Sequence, residues 1–404
     1  MLSRTATILA TLAVAASVTA SCADSDPSLG GRAALGVGDE SAVVAAPDTT
    51  GGVTTVPGGD GTTLAPDGTT VPPAAAAGGV VVVPTGGAPL ATEPGGEPFI
   101  QIHENVVMGA VGRSGEYLEV VTMCNETAWV DESDVTLAPP GTPAPPGPGF
   151  DLAAAVVVVD PGHGDRDWGG VGPNGLGEKH VNLDISEQVR DLLQASHAVD
   201  WATGEISEGS DVSAVGQVWL TRDRSGPNDG DFELGLGFRA ELANAAGADV
   251  FVSIHNNTVP RIDTDIPGTE IYYAMGVEDS DRLASLVYEE LLRSFAPYTA
   301  EWTGGEVMGP RARFDPETDD DYYGLLRRAQ MPAVIVEGVY IDQADQEALL
   351  ETDEFRQSYA EGVYRGIVRF LTTDEIADGI NEPEPFPDDA GTVDTSECPL
   401  PEQE

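Results

Sequence analysis

The amino-acid sequence predicts a three-layer α/β domain with a mostly parallel sheet, preceded by a small β-barrel module. The central observation is the run Val156–Val159, four β-branched residues in succession, which is typical of a strand buried on both faces of a parallel sheet. Apolar runs at 218–220, 248–254 and 332–336 have a similar character, and segments with helical spacing separate them. Buried strands that alternate with amphipathic helices form a parallel sheet with helices on both faces.

The 404-residue chain begins with a short apolar segment, residues 5–21, that follows Arg4. The segment is too short for a comfortable membrane span and has the features of a secretory signal peptide. The small residues directly before Cys22 resemble the lipobox of bacterial lipoproteins, which implies that Cys22 becomes a lipidated amino terminus. An ordinary cleaved signal with a spare cysteine is the alternative. With residues 1–22 as its signal peptide, we expect an exported cell-envelope protein, anchored to the membrane by lipid and facing the wall.

The next three segments differ in composition. Residues 23–96 are mostly Gly, Ala, Thr, Pro and Asp, and such a segment buries too little apolar surface to offset its ordering entropy, so we expect a disordered tether. Residues 97–138 contain short strand-like runs separated by turn residues, and their ending, Ala128–Val135, resembles the last strands of bacterial SH3-like modules. The proline-rich residues 139–152 are expected to form a stiff linker.

The main domain is expected to span residues 153–373. After the first strand, hydrophobic periodicity predicts a helix at 181–193, a strand at 218–220, a helix at 238–246, strands at 248–254 and 270–273, a helix at 280–295, a strand at 332–336 and a helix at 353–370. The acidic, proline-rich residues 374–404 are expected to be a solvated tail. Two polar insertions, 198–216 and 301–321, either cap a cleft and shape substrate choice or are plain surface loops.

Ionisable side chains follow three of the predicted strands. The first strand ends in a tight turn, residues 160–164 (Asp-Pro-Gly-His-Gly), in which proline and glycines present His163. Two later strands are followed directly by His255 and Glu337, and Glu178 opens the first helix. Because ligands bind at the carboxyl ends of the strands in open α/β sheets, we expect these four side chains to meet at one edge.

Two imidazoles and a carboxylate are typical of a catalytic zinc site, in which three protein ligands leave one position open to water. A structural zinc site usually has four ligands, mostly thiolates, and residues 153–373 contain no cysteine. Each residue alone has a structural explanation, such as the helix dipole for Glu178. Their joint placement on one edge of the sheet favours a catalytic metal site over these separate structural explanations.

Four segments in order resemble the motifs of the zinc-dependent N-acetylmuramoyl-L-alanine amidases: 160–164, 178–183, 248–257 and 332–338. The similarity covers nearly all of residues 153–373. The resemblance implies that Zn2+ is held by His163, Glu178 and His255, that Glu337 is the catalytic carboxylate, and that Asn257 faces the substrate.

The resemblance also implies the reaction, which is hydrolysis of the amide between N-acetylmuramic acid and L-alanine of the peptidoglycan stem peptide. Zinc lowers the pKa of bound water toward ~7 and polarises the carbonyl. Glu337 could accept the water proton and return it to the leaving amine. The alternatives are a non-catalytic wall-binding or regulatory protein on an amidase-like fold and a zinc peptidase that cuts another peptidoglycan amide. Control by a protein activator is left open.

Arg222 follows the strand at 218–220. It is a candidate to clamp a substrate carboxylate, and a structural ion pair is the alternative. Cys124 and Cys398 are far apart and lack metal-ligand spacing. In an exported protein we expect them to form one disulfide, with two free thiols as the alternative.

The formal net charge is −49, and Lys179 is the only lysine. This acidity excludes nucleic acid as a partner. It also repels an anionic wall polymer over long range, so recognition must be local or occur where salt screens the field. A saline habitat is our hypothesis for its origin.

Overall fold

The computed structural model describes residues 78–224, 234–258 and 262–386. The predicted signal peptide with Cys22, most of the tether, and Cys398 lie outside these ranges. The strands are β1 (Val80–Val82), β2 (Ala88–Ala91), β3 (Pro98–Ile102), β4 (Val107–Ser114), β5 (Tyr117–Val121), β6 (Thr127–Asp131), β7 (Thr136–Ala138), β8 (Val156–Pro161), β9 (His197–Asp200), β10 (Glu205–Glu208), β11 (Gln217–Leu220), β12 (Val250–Asn257), β13 (Ile262–Asp263), β14 (Glu270–Tyr273), β15 (Thr303–Gly304), β16 (Gly309–Arg311), β17 (Arg313–Asp315), β18 (Asp320–Asp321), β19 (Ala333–Tyr340) and β20 (Glu384–Pro385). The helices are α1 (Glu178–Leu193), α2 (Leu236–Ala246), α3 (Ser280–Phe295), α4 (Gly324–Arg328), α5 (Ala344–Leu350) and α6 (Asp353–Thr372). None of these helices has the length and apolar character needed to cross a membrane.

A six-stranded sheet forms the centre of the main domain, in the order β11-β8-β12-β19-β14-β16. The first four strands are parallel, whereas β14 is antiparallel to β19 and parallel to β16. The residues of β8 are buried on both faces, as four successive β-branched side chains predict. The predicted α/β class and the order of its elements are therefore confirmed, with two strands opposing the parallel set.

Helices cover both faces of this sheet. On one face, α1, α3 and α6 pack against one another and against side chains such as Val157, Val252 and Val334. On the other face, α2 and α4 pack with the alternate side chains, which include Val158 and Phe251. Because successive side chains of a strand point to opposite faces of the sheet, each strand contributes to two separate hydrophobic cores.

The second core continues into the amino-terminal β module, a seven-stranded sheet in the order β3-β2-β6-β5-β4-β1-β7. The module packs on α2, and the contact is close: a Cβ at Gly109 would lie 3.0 Å from the Cβ of Ala245 and 3.2 Å from the Cα of Leu242. At the other end of the helix, the backbone N–H of Gly235 donates to the carbonyl of Met123 (2.6 Å). The module is therefore docked on the main domain. Its likeness to SH3-like modules stays a prediction.

The expected boundary of the tether at residue 96 is wrong. β1 pairs with β4 and β7, and β2 pairs with β3 and β6, so residues from Val80 onward belong to the module. The run Val80–Val83 and Leu90 are buried in its core. The average composition of residues 23–96 is dominated by small and polar residues and gives no weight to these few apolar residues. They become buried because strands from later in the chain pair with β1 and β2.

The proline-rich linker and the first part of the tail, expected to be a stiff linker and a solvated tail, both contact the main domain. In the linker, the N–H of Gly141 donates to the carbonyl of Ala246, and the N–H of Ala144 donates to a carboxylate oxygen of Asp249 (3.0 Å). In the tail, residues 374–386 return to the domain, and β20 pairs with β17. These segments are polar, but their backbone groups find partners on the domain surface.

The two insertions have structure of their own. The first contains most of a hairpin, β9 and β10. The second contains β15 to β18, and β16 is the edge strand of the central sheet. Cys124 is disulfide-bonded, and both other cysteines lie outside the described residues, so its pairing with Cys398 stays a prediction.

Candidate metal centre

Three neighbouring strands of the sheet deliver ionisable side chains to one edge. β8 and β12 are parallel neighbours, as are β12 and β19. In the second pair His255 lies directly opposite Glu337, and His163 follows the end of β8 by two residues. Parallel alignment is the reason that residues 82 to 174 positions apart in the chain meet at this edge.

The turn after β8 requires its glycines. His163 itself has a φ of 61°, in the left-handed region, and Gly164 has a φ of 151°. A Cβ at Gly162 would collide with the imidazole of His255. A residue with a side chain at this position would therefore displace one of the candidate ligands.

Two arginines hold this turn from beneath. Arg222 is 4% exposed, and its guanidinium donates to the backbone carbonyls of Pro161, Gly162, His163 and Lys179 at 2.9–3.2 Å. The expectation that Arg222 clamps a substrate carboxylate stays a prediction. The hydrogen bonds of its Nε and Nη2 to the backbone of the turn show that at least part of the guanidinium has a structural role.

Arg239 is the second arginine, and sequence reasoning missed it. Its guanidinium donates to Asp160 Oδ1 (2.7 Å) and to the carbonyls of Pro161 and His163 (2.9 Å each). Asp160 also accepts hydrogen bonds from Thr221 (2.5 Å) and Ser253 (2.6 Å). Burial alone would raise the pKa of Asp160, but the charge of Arg239 and these hydrogen bonds hold it below its ordinary value.

His163, Glu178 and His255 form a buried group that could hold a metal ion, with their ligand atoms all within 4.8 Å of one another. Glu178 Oε2 lies 3.2 Å from His163 Nε2, and Glu178 Oε1 lies 3.2 Å from His255 Nδ1. The two imidazole rings stand edge to face, with centroids 4.8 Å apart. The structure thus brings together all three of the residues expected to be metal ligands.

The carboxylate of Glu178 is fixed by neighbouring donors. Its Oε2 accepts the N–H of Gly170 (2.7 Å), and its Oε1 accepts the N–H of Asn256 (2.9 Å) and the side-chain amide of Asn182 (3.1 Å). Gly169 keeps the nearby backbone close, since a Cβ there would lie 2.5 Å from Glu178 Oε2. The carboxylate is therefore oriented before any ion binds.

Asp167 is a further part of the site that sequence reasoning missed. Its Oδ2 lies 2.7 Å from His163 Nδ1, which leaves Nε2 directed at the group. Carboxylates in this position orient metal-binding histidines and raise their basicity. The signal was available, because an aspartate four residues after the turn histidine lies in the same glycine-rich loop.

The electrostatics of the group suit a cation. Burial would lower the pKa of His163, but the carboxylates of Glu178 and Asp167 outweigh burial and raise it to about 10. Burial would raise the pKa of Glu178, yet the two histidines hold it well below its ordinary range. The donor set therefore favours a positive charge at its centre, which is consistent with a zinc site of two imidazoles and one carboxylate.

Glu337 is only partly buried, and it differs from Glu178 in its partners. Its Oε2 is buried and has no hydrogen-bond partner among the described residues. Burial, and after it the charge of Glu178, raises the pKa of Glu337 well above its ordinary range. A carboxyl group with an unpaired oxygen and a raised pKa, beside a candidate metal group, has the properties of a general acid–base.

Asn257 lies two residues beyond His255, but its side-chain amide is already engaged. The amide donates to Glu270 Oε2 (2.7 Å), and Glu270 in turn is paired with the buried Arg311 (2.7 Å). Glu270 also lies opposite Glu337 in the register of β14 and β19. The proposed substrate contact of Asn257 stays a prediction, and Glu270 is an additional charged residue at the site.

Helix α5 supports the loop at residues 164–177 from outside. Glu347 is fully buried and accepts hydrogen bonds from the backbone N–H of Asn174 (2.9 Å) and of Leu176 (3.1 Å) and from the Asn174 amide (2.9 Å). The adjacent Gln346 binds the N–H of Tyr340 at the end of β19. One helix thus connects the strand of Glu337 to the loop that leads to Glu178.

The fold and the site together define an α/β domain with a candidate metal centre at the carboxyl edge of its sheet. The sequence profile described as N-acetylmuramoyl-L-alanine amidase matches residues 157–369, more than half of the chain. The chain belongs to this family, so the resemblance of its motifs to N-acetylmuramoyl-L-alanine amidases is confirmed, and zinc dependence stays a prediction.

Individual relatives are distant. The amidase AmiC of Neisseria meningitidis is 24% identical over 272 residues, which cover 61% of this chain and 59% of that protein. The germination-specific N-acetylmuramoyl-L-alanine amidase of Bacillus subtilis is 25% identical over 221 residues, covering 55% of this chain and 81% of the relative. Among solved structures, the amidase AmiC2 of Nostoc punctiforme is 30% identical, covers 54% of this chain and 97% of its own, and has a TM-score of 0.39.

Proposed function

We propose that this protein hydrolyses the amide between N-acetylmuramic acid and L-alanine of the peptidoglycan stem peptide, with Zn2+ held by His163, Glu178 and His255. The observation that carries the proposal is the buried group of these three side chains with Glu337 on the adjacent strand. Membership in the amidase family supports the identity of the substrate. Zinc bound there would lower the pKa of water and polarise the scissile carbonyl.

The residues of the chain have distinct roles in this proposal. Glu337 takes a proton from the attacking water and delivers it to the leaving amine, because its Oε2 is not occupied by another hydrogen bond among the described residues. Asp167 keeps His163 in the tautomer that presents Nε2. The N–H groups of Gly170 and Asn256 hold Glu178 in place.

The proposed substrate lies outside the cytoplasmic membrane, so the proposal includes export. Lipid attachment at Cys22 and control by an activator stay predictions from the sequence.

Mass spectrometry of the products released from purified peptidoglycan tests the proposal. We expect the full chain with zinc to release intact stem peptides with an L-alanine amino terminus, and a chelator to abolish release. Glu337→Ala should retain one zinc per chain and lose at least a hundredfold in rate, on the order expected for a general acid–base. Glu351→Ala, which changes an exposed carboxylate at the end of α5, is the matched control and should keep full activity.

Two results would contradict the proposal. Fragments cut elsewhere in the stem peptide would identify a peptidase instead. Zinc-loaded protein that binds peptidoglycan but releases nothing would favour the non-catalytic wall-binding alternative.

A further inference from the structure

Trp168 is a large aromatic side chain exposed beside the candidate metal centre. Its side chain is 47% exposed. It lies in the loop between Asp167, whose carboxylate binds His163, and Gly169, whose backbone passes close to Glu178. Both chain neighbours of Trp168 therefore contact residues of the candidate metal group. The indole itself has no role in the reaction proposed above.

The indole is held in one orientation by residues around the start of α1. The ammonium of Lys179 lies over the ring, 4.5 Å from its centroid, and the His180 ring meets it edge to face at 5.4 Å. Gly177 allows close approach, since a Cβ there would lie 2.7 Å from Cε3 of the indole. The backbone N–H of Lys179 also donates to the carbonyl of Trp168 (3.2 Å). These contacts fix the ring at the rim of the site.

Nearly half of the indole stays exposed although Lys179 and His180 hold its orientation, so a flat apolar surface is available to a ligand beside the candidate metal group. The face of an aromatic ring carries partial negative charge, and the C–H groups of a pyranose ring carry partial positive charge, so the two surfaces stack. The net charge of −49 opposes long-range attraction of an anionic polymer. A neutral stacking contact avoids this repulsion.

We propose that Trp168 is a carbohydrate-stacking subsite, which takes a pyranose ring of the glycan strand next to the scissile amide. This inference rests on the proposed function, because that function places a glycan beside the metal centre. Trp168 fixes the position of the sugar and contributes to specificity, and it carries out no proton transfer.

Calorimetric titrations test the subsite in the zinc-loaded Glu337→Ala background, which removes turnover. The probes are the N-acetylglucosaminyl-N-acetylmuramoyl peptide, the same disaccharide without the peptide, and the stem peptide alone. Trp168→Ala should weaken binding of both sugar-containing probes by roughly threefold to tenfold, the range for one aromatic contact, and leave the peptide unchanged. Trp168→Phe should restore most of the affinity.

Trp201 provides the matched control, because it is 41% exposed and lies between β9 and β10, where its carbonyl accepts a hydrogen bond from Arg293 on α3. Trp201→Ala should bind all three probes like the parent protein. Zinc content and thermal unfolding of each variant verify that the fold is retained. Equal affinity of Trp168→Ala and the parent for the sugar probes, or a loss confined to the stem peptide, would overturn the subsite.

Different results would disprove the carbohydrate subsite and the proposed amidase reaction. If the protein with Glu337 intact hydrolyses peptidoglycan and Trp168→Ala leaves KM unchanged, the subsite is wrong and the amidase stands. If sugar binding depends on Trp168 but the zinc-loaded protein cleaves nothing, the subsite stands and the proposed reaction is wrong.

Discussion

Two buried carboxylates, Asp160 and Glu347, support the backbone around the candidate metal centre through different interactions. Asp160 lies beneath the turn of His163 and is paired with a buried guanidinium, that of Arg239. Glu347 lies behind the loop that leads to Glu178, and the hydrogen bonds it accepts there come from neutral amides. The inner support depends on a charge pair between Asp160 on β8 and Arg239 on α2, whereas the outer one depends on hydrogen bonds to a loop.

The comparison indicates which part of the molecule each support serves. Removing one member of a buried pair leaves an uncompensated charge in the core, so the inner support is tied to global stability. Loss of an acceptor for loop amides leaves donors that can turn to water, so the outer support is tied to local order. Substitutions at the inner support should therefore change global stability, and substitutions at the outer support should change the order of the loop.

The largest expected effect is that of Arg239→Met. It leaves Asp160 buried without its cation and should lower the free energy of unfolding by about 3–5 kcal/mol at pH 7, measured by chemical denaturation. Arg190→Met is the matched control, since Arg190 pairs with partly exposed carboxylates, and it should cost under about 1 kcal/mol. Equal costs for the two variants would show that the inner support is not a core charge pair.

The same variant has a defined pH dependence. The pKa of Asp160 is lowered in the folded wild-type protein, so the pair contributes stability that is present above the ordinary value of 3.8 and is lost as the pH falls through the folded pKa. In Arg239→Met the unpaired carboxylate should instead become protonated as the pH falls. The stability difference between the two proteins should therefore shrink from pH 7 to pH 4.

The next effect is that of Asp167→Asn, which acts on the metal group directly. The variant keeps an acceptor for His163 but removes the negative charge, so zinc affinity should fall by about 10- to 100-fold in competition with a chromophoric chelator. The pKa of His163 in the metal-free protein should also fall below its value of about 10. Asp165→Asn makes the same charge change in the same loop and should alter zinc affinity little. Unchanged affinity in Asp167→Asn would contradict the orienting role.

The smallest effect is expected from Glu347→Gln. The new amide cannot accept all the hydrogen bonds that the carboxylate receives, so the free energy of unfolding should fall by about 1–2 kcal/mol. Amide hydrogen exchange should increase at Asn174 and Leu176 more than in the central strands. Glu351→Gln, on the exposed end of the same helix, is the control. Faster exchange throughout the sheet would show that the outer support, like the inner one, serves the whole fold.

Local patterns predicted much of the fold because they report on burial. The successive β-branched residues of β8 and the helical spacing of Val181, Ile185 and Val189 give the same answer in sequence and in structure. The helix predicted at 280–295 has the same bounds as α3. The module boundary failed because β1 and β2 are short strands in a stretch rich in glycine and proline, and later strands stabilise them.

Some residues of the candidate site were likewise predictable from local sequence, and others were not. His163, His255 and Glu337 were predictable because each follows a recognisable buried strand. The backbone hydrogen bonds of Arg222 were not predictable, since a position after a strand does not reveal whether a guanidinium faces solvent or the backbone. Glu347 could not be inferred as a support because its partners lie 171 and 173 residues away.

The order of the principal strands and helices of the main domain, the edge at which the ionisable residues collect, and the family follow from the sequence alone. These properties depend on residue type and on neighbours close in the chain. The lowered pKa of Glu178 between two imidazoles depends on the tertiary structure, as do the raised pKa of Glu337 and its oxygen without a hydrogen-bond partner among the described residues. The physical reason is that burial and charge act through distances of a few ångströms between side chains that the fold, not the chain order, brings together.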